Sequence, residues 1–351
     1  MTGPDPMLTF TLLSLACRQA GLPDPGETDD TSRAQTFEVL LSAADDLQVH
    51  RLRFGKNYRE EGLTKVWTWD VQDDFTHPHR PHGLSVSGDT VLVSLFDYEF
   101  DAFNLALDLE TGTLLHTITT AEGSPWGGLP EREGERSTHN IIADPAGGYI
   151  ISDTHNHRVS GLDENGILKW ELSQSTIWEK GYVQTGFSNP NDVELFELNG
   201  EARLLVSCRG DVFNHVMWFK ASTPLRPEDP PWELEGIFPE TNNFSLIRQN
   251  HNPSILEDGT GFMVANSYYN RIEAFTWEGE LIWQFPKADC QDSHSLDWPR
   301  GFDWTPNGTL LIADSSANRL LEVDPNQDCL DDAILWSLDD VHATYDVVVL
   351  P

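Results

Sequence analysis

Polar residues able to do chemistry recur along this 351-residue chain at a near-constant interval: His82, His139, Asn191 with Asp192, His251 with Asn252, and Arg300. Counted from His82, they follow one another after 57, 52, 60 and 49 residues. Three chemistries suit such a set if it converges. A neutral imidazole can attack an electrophilic sulfuryl or phosphoryl centre while Arg and Asn stabilise the charged oxygens. The three imidazoles of His82, His139 and His251 could instead hold Zn²⁺ or another divalent ion with a position left open. The set could also simply bind an anionic ligand. Against all three stands the plain structural option, in which these groups hydrogen-bond one another and trapped water.

Each anchor opens the same local pattern. Pro81–Val86 is followed by a turn and Thr90–Leu95, and Thr138–Ala143 by Gly147-Gly148 and Tyr149–Asp153. Pro190–Leu195 leads to Arg203–Cys208, Asn250–Ile255 to Gly261–Asn266, and Pro299–Trp304 to Thr309–Asp314. A third apolar run follows, as in Asn270-Arg271-Ile272, and a fourth often closes on Trp, as at Trp170, Trp283 and Trp336. Four short strands per repeat of about 50 residues is the signature of a propeller blade. The ends supply one more. Tyr345–Leu350 matches a first strand, and Thr36–Leu41, Leu47–Phe54 and Lys65–Trp67 match the other three. The expected fold is therefore all-β, a six-bladed β-propeller over residues 36–351 whose sixth blade joins the C-terminal strand to N-terminal strands. Closure of this kind removes exposed edges. It also brings the anchors to one mouth of the central channel.

The chain carries 57 acidic residues against 22 basic ones, a formal net charge of −35. That excludes an electrostatic grip on nucleic acid, which needs clustered Lys and Arg. No apolar run reaches the roughly 18–20 residues of a membrane-spanning helix. Residues 1–35 read as a leader and linker. Leu8–Cys17 is a short apolar run ending on Ala16-Cys17, followed by a stretch rich in Pro, Gly and Asp. It resembles a bacterial lipoprotein signal with Cys17 as the lipid anchor, although no Lys or Arg precedes the run. The expectation is export, to the periplasm or as an outer-membrane lipoprotein. Cys290 and Cys329 lie in polar segments. An oxidising compartment would allow them to pair, and two free thiols are the alternative.

With these motifs assembled, the chain resembles the bacterial aryl-sulfate sulfotransferases, which are six-bladed propellers. The resemblance covers most of residues 60–351. In that family a blade opens with His-x-Asn, followed about eighteen residues later by Arg. Asn189-Pro190-Asn191 and Ser207-Cys208-Arg209 stand at those places, with Asn189 in place of His. A Gln-His motif in the next blade carries the nucleophile, and Gln249-Asn250-His251 stands there with one extra residue. The resemblance implies a ping-pong transfer from an aryl sulfate to a phenolic acceptor, with no cofactor. His251 would be the nucleophile, and His139, Arg209 and Asn191 would act on the sulfuryl oxygens. Arg300, Asn252, Asn189 and His82 would complete substrate binding. Ser152–Val159 is locally similar to an NHL-type propeller strand. That group includes lyases that hold zinc on channel histidines, so a His-ligated zinc or calcium lyase or hydrolase is the alternative, and a non-catalytic binding propeller the third.

Other features read as structural. His77, His79 and His82 within six residues suggest a Pro-stiffened loop before a metal clamp. His155 and His157 read as blade-turn residues. Asp73-Asp74, Asp331-Asp332 and Asp339-Asp340 lack the ordered spacing of an EF-hand. The recurring Trp170, Trp283 and Trp336 read as packing between blades. Trp126 and Trp178 fall in longer segments that could roof the channel.

Overall fold

The computed structural model describes residues 35–96, 103–119, 138–174, 186–209, 214–223, 230–240, 245–290 and 295–350. The leader with Cys17, and Trp126 and Trp178, lie outside the described residues. Six four-stranded antiparallel sheets make up the fold. The first blade is β4 (Arg80–Ser87), β5 (Thr90–Phe96), β6 (Phe103–Asp108) and β7 (Leu114–Thr119). The second is β8 (Thr138–Ala143), β9 (Tyr149–Asp153), β10 (Arg158–Leu162) and β11 (Leu168–Ser173). The third is β12 (Pro190–Leu198), β13 (Glu201–Arg209), β14 (Asn214–Ala221) and β15 (Trp232–Phe238). The fourth is β16 (Asn250–Ile255), β17 (Gly261–Asn266), β18 (Arg271–Thr276) and β19 (Leu281–Phe285). The fifth is β20 (Pro299–Trp304), β21 (Leu310–Asp314), β22 (Arg319–Val323) and β23 (Ile334–Asp339).

The sixth blade is composite. β24 (Thr344–Val349) pairs with β1 (Phe37–Ala43), which continues into β2 (Gln48–Phe54) and β3 (Thr64–Asp70). Leu40 sits opposite Val348 and Leu41 opposite Val347. The closure expected from the chain ends is thus the closure observed. The first strands contact one another in order around the ring, ending with β24 against β4.

Two devices hold those first strands together. The first is a hydroxyl on the preceding blade. Ser42 Oγ donates to the His82 carbonyl at 2.8 Å, Ser94 Oγ to that of His139 at 2.6 Å, and Ser152 Oγ to that of Asn191 at 2.6 Å. The second is a carboxylate, buried or half-buried, that accepts a backbone N–H from the next blade. Asp192 accepts from Asn252 (2.9 Å), Glu194 from Ile255 (3.1 Å), Asp303 from Val349 (2.7 Å) and Asp346 from Leu84 (2.8 Å). Backbone groups left unpaired at a blade seam would cost about 1–3 kcal/mol each, so these side chains finish what the separate ladders cannot. Where seams are tightest the chain uses glycine. A Cβ on Gly83 would stand 2.3 Å from the His139 carbonyl oxygen.

Apolar faces pack between blades. Trp170 joins Val159 of its own blade to Leu204 and Met217 of the third. Trp336 lies edge-on to Phe54 and Tyr58 of the sixth blade, at 5.3 and 6.1 Å between centroids. Trp283 packs into the cluster that spans the fourth and fifth blades. The packing role read from the recurrent tryptophans fits these positions. Cys290 and Cys329 form a disulfide between the end of the fourth blade and the fifth.

Candidate functional site

In every blade but the fourth, the first strand is irregular just where its anchor stands. The β4–β5 register shifts between Pro81 and Leu84, β8–β9 between Thr138 and Asn140, β12–β13 between Pro190 and Asp192, and β20–β21 between Pro299 and Gly301. His82, His139, Asn191 and Arg300 therefore lie in bulges. A bulge frees a residue from the ladder and re-aims its side chain, which is why bulges gather at sites. The residue two before the anchor is often left-handed: Asn189 (φ 47°), Gln249 (φ 54°), Trp298 (φ 59°) and Ala343 (φ 49°). Asn tolerates this conformation, whereas the others hold it at some cost in strain.

These turns build a cavity of about 210 Å³ at one mouth of the channel. His82, His139, Asn189, Arg209 and Arg300 line it, together with Phe96, Thr154, His155, Gln249 and Tyr345. The His82 and His139 rings are stacked at 4.2 Å between centroids. Arg300 Nη1 donates to His82 Nε2 at 3.1 Å, and the guanidinium lies 3.9 Å over the Tyr345 ring. Arg209 Nε donates to Gln249 Oε1, and His139 Nδ1 is bonded to Asn191 Oδ1. Asn191 Nδ2 in turn donates to Asp192 Oδ2 at 3.0 Å.

His251, Asn191 and Asn252 stand behind this lining. In the fourth blade the irregularity falls later, between His251 and Ser254, so His251 stays paired with Ala265 in the ladder. Its ring bonds Ser267 Oγ through Nδ1 at 2.7 Å. Asn252 ties seams, donating from its side chain to the Phe302 carbonyl at 2.9 Å. His251 is nonetheless coupled to the cavity charges. Burial holds its pKa well below the usual 6.5, reinforced by Arg300 and Arg209. His139 is lowered by burial and the same two guanidinium groups, and His82 by burial and its neighbours His139 and Arg300. All three imidazoles are neutral at pH 7. The Nε2 atoms of His139 and His251 are buried and make no hydrogen bond to the described residues.

Beneath the anchors the carboxyls behave in the opposite sense. Burial raises Asp192 to about 6 and Glu194 to about 8, and lifts Asp346 well above its ordinary value. Among the described residues no group of three or more His, Cys, Asp or Glu side chains is arranged to hold a metal ion. His82 and His139 present stacked faces, and His82 Nε2 faces a guanidinium.

Five lining residues were outside the sequence-based set: Phe96, Thr154, His155, Gln249 and Tyr345. A usable signal existed. Arg209 ends β13, and Phe96 and Thr154-His155 stand at or just beyond the same end of β5 and β9. Tyr345 lies in the irregularity of the sixth blade, between the residues pairing with Leu41 and Ala43, and so is that blade's anchor.

No protein family and no curated protein matches the sequence. Solved structures do match the fold. A protein of unknown function from Bacteroides caccae is 11% identical with a TM-score of 0.55, covering 90% of this chain and 99% of its own. A proposed 6-phosphogluconolactonase from Bacteroides uniformis is 15% identical with a TM-score of 0.53, covering 90% and 100%. A second, from Bacteroides fragilis, is 14% identical with a TM-score of 0.52, covering 92% and 100%. At such identities the likeness is one of fold. The aryl-sulfate sulfotransferase resemblance rests on the motif residues alone.

Proposed function

We propose that the cavity is the active site of an enzyme that moves a sulfuryl group from an aryl sulfate to a phenol. One observation carries this reading: two guanidinium groups, Arg209 and Arg300, line the cavity beside the neutral His139, with the neutral His251 directly behind that lining, and the Nε2 atoms of His139 and His251 have no hydrogen-bond partner among the described residues. Cationic donors lining a pocket stabilise the oxygens of a sulfuryl group as charge shifts during transfer. A neutral imidazole supplies the nucleophile. His251 Nε2 forms a bond to sulfur, and the S–O bond to the aryl group breaks, releasing the phenolate. The acceptor phenol then gives its proton to solvent, its oxygen attacks the same sulfur, and the N–S bond breaks to restore His251, while solvent reprotonates the released phenolate. Arg209 and Arg300 bind the sulfuryl oxygens throughout, and Asn191 holds His139 in the wall.

Turnover of 4-nitrophenyl sulfate in the presence of a phenol tests the reading. His251→Ala abolishes release of nitrophenolate and His139→Ala lowers it. Full activity in both variants rejects the proposal, and loss in His139→Ala alone moves the nucleophile to the cavity wall.

A second reading is hydrolysis of a phosphorylated sugar lactone. The proposed 6-phosphogluconolactonases of the same fold suggest that substrate class, and Arg209 with Arg300 would suit its phosphate. A neutral His139 would then act as base toward water. Lactone opening without sulfuryl transfer decides for it. In the metal-dependent form of a hydrolase or lyase, zinc or calcium would have to rearrange the stacked pair of His82 and His139.

Export is also proposed. The Cys290–Cys329 disulfide suits an oxidising compartment. Among the described residues no helix is long and apolar enough to cross a membrane. Lipid labelling that is lost in Cys17→Ala tests the anchor.

A further inference from the structure

We propose that Ser267 is a positioning residue that fixes His251 as the Nδ1–H tautomer, so that the imidazole presents a bare Nε2 lone pair. The inference rests on the reading of His251 as the nucleophile, because only an unprotonated Nε2 can attack.

The argument is one of proton counting. Ser267 is fully buried at the start of the short turn Ser267–Tyr269 that follows β17. Its Oγ lies 2.5 Å from the Pro299 carbonyl oxygen. A carbonyl only accepts, so the single hydroxyl proton goes to Pro299. The 2.7 Å contact between Ser267 Oγ and His251 Nδ1 then needs its proton from the ring. An acceptor therefore faces Nδ1, and the one proton of a neutral ring resides there, leaving Nε2 with no hydrogen-bond partner among the described residues.

Charged groups around the ring keep it singly protonated. Arg300 on β20 and Arg209 at the end of β13 add to burial in disfavouring the imidazolium, and the Gln249 backbone is the opposing influence. Pro299 directly precedes Arg300, so the Ser267 hydroxyl ties the nucleophile's orientation to the strand that carries the oxyanion-binding guanidinium. His139 is set by parallel logic. Asn191 Nδ2 donates to the Asp192 carboxylate, so its Oδ1 faces His139 as an acceptor and places the proton on Nδ1.

The test is long-range ¹H–¹⁵N correlation on the full chain labelled at histidine nitrogens, with His251 assigned by its loss in His251→Ala. The wild type shows a protonated Nδ1 and an unprotonated Nε2. Ser267→Ala converts that pattern to a mixture of tautomers and lowers kcat roughly tenfold or more with KM little changed, while Ser267→Thr restores both. A protonated Nε2 in the wild type, or an unchanged tautomer in a folded Ser267→Ala protein, overturns the proposal. The nitrogen pattern is read without substrate. A correct tautomer with no sulfuryl transfer would fail the functional reading alone.

Discussion

The imidazoles of His82 and His139 lie one on the other, 4.2 Å between centroids and 26° between planes, although they belong to different blades. Two imidazolium ions could not share that contact in a buried site beside Arg209 and Arg300. The stack is therefore built for neutral rings, and the fixed positive charge beside it belongs to the guanidinium groups of Arg209 and Arg300. An anion entering the cavity meets those fixed donors first. Much of the chain's −35 charge lies elsewhere, so the cavity is a local exception to the acidity of the whole.

Arg300 is expected to dominate anion affinity. Arg300→Ala removes a charged donor worth about 1.5–3 kcal/mol, weakening binding of inorganic sulfate roughly tenfold or more by titration calorimetry. Arg300→Lys retains the charge but loses the planar contact over Tyr345, and should fall between. An unchanged affinity in Arg300→Ala would place the anion elsewhere.

Thermal stability should peak near pH 6.5. The three channel histidines have depressed pKa values when folded, so the unfolded chain takes up protons below 6.5 that the native state refuses. Stability then falls as pH drops. Glu194 has the opposite sign: between 4.5 and about 8 the folded state holds a proton that the unfolded chain has lost. Stability then falls as pH rises, and above 6.5 this effect acts without opposition from the histidines. Glu194→Gln should flatten the decline in Tm between pH 6.5 and 8. An unaltered slope in that variant would contradict the assignment.

Reduction of the Cys290–Cys329 bridge should lower stability by about 2–4 kcal/mol, because a loop of 39 residues is released in the unfolded chain. Denaturant titration with and without reductant measures it. Cys290→Ser should abolish the difference between the two titrations, and a wild-type midpoint indifferent to reductant would refute the expectation.

Gly161 is expected to tolerate no side chain. A Cβ there would stand 2.0 Å from the Trp170 ring, which fills the space over β10 and reaches the third blade. Gly161→Ala should cost about 1–3 kcal/mol through overpacking. Chemical denaturation followed by tryptophan fluorescence would show it, and wild-type stability would mean that the ring moves freely.

The architecture was already written in the linear chain. A polar anchor repeated every 49 to 60 residues, four apolar runs per repeat, and a stray strand matched to the missing first strand at the other end leave little choice but a closed ring of six. Such features are local or periodic, and period survives in a linear string. The anchor rule also located His82, His139 and Arg300 in the cavity, and it would have found Tyr345 had it been carried into the sixth blade. Which anchors face the cavity was settled in the folded ring alone. That depends on where each bulge falls: one residue's difference in register keeps His251 in its ladder beside Ser267, while His139 and Arg300 are freed to point inward. The folded ring also decided the pairing of Cys290 with Cys329 and the tier of raised carboxyls beneath the anchors. Distances across a seam between blades, and the loss of water around the groups within it, arise only when the ring closes.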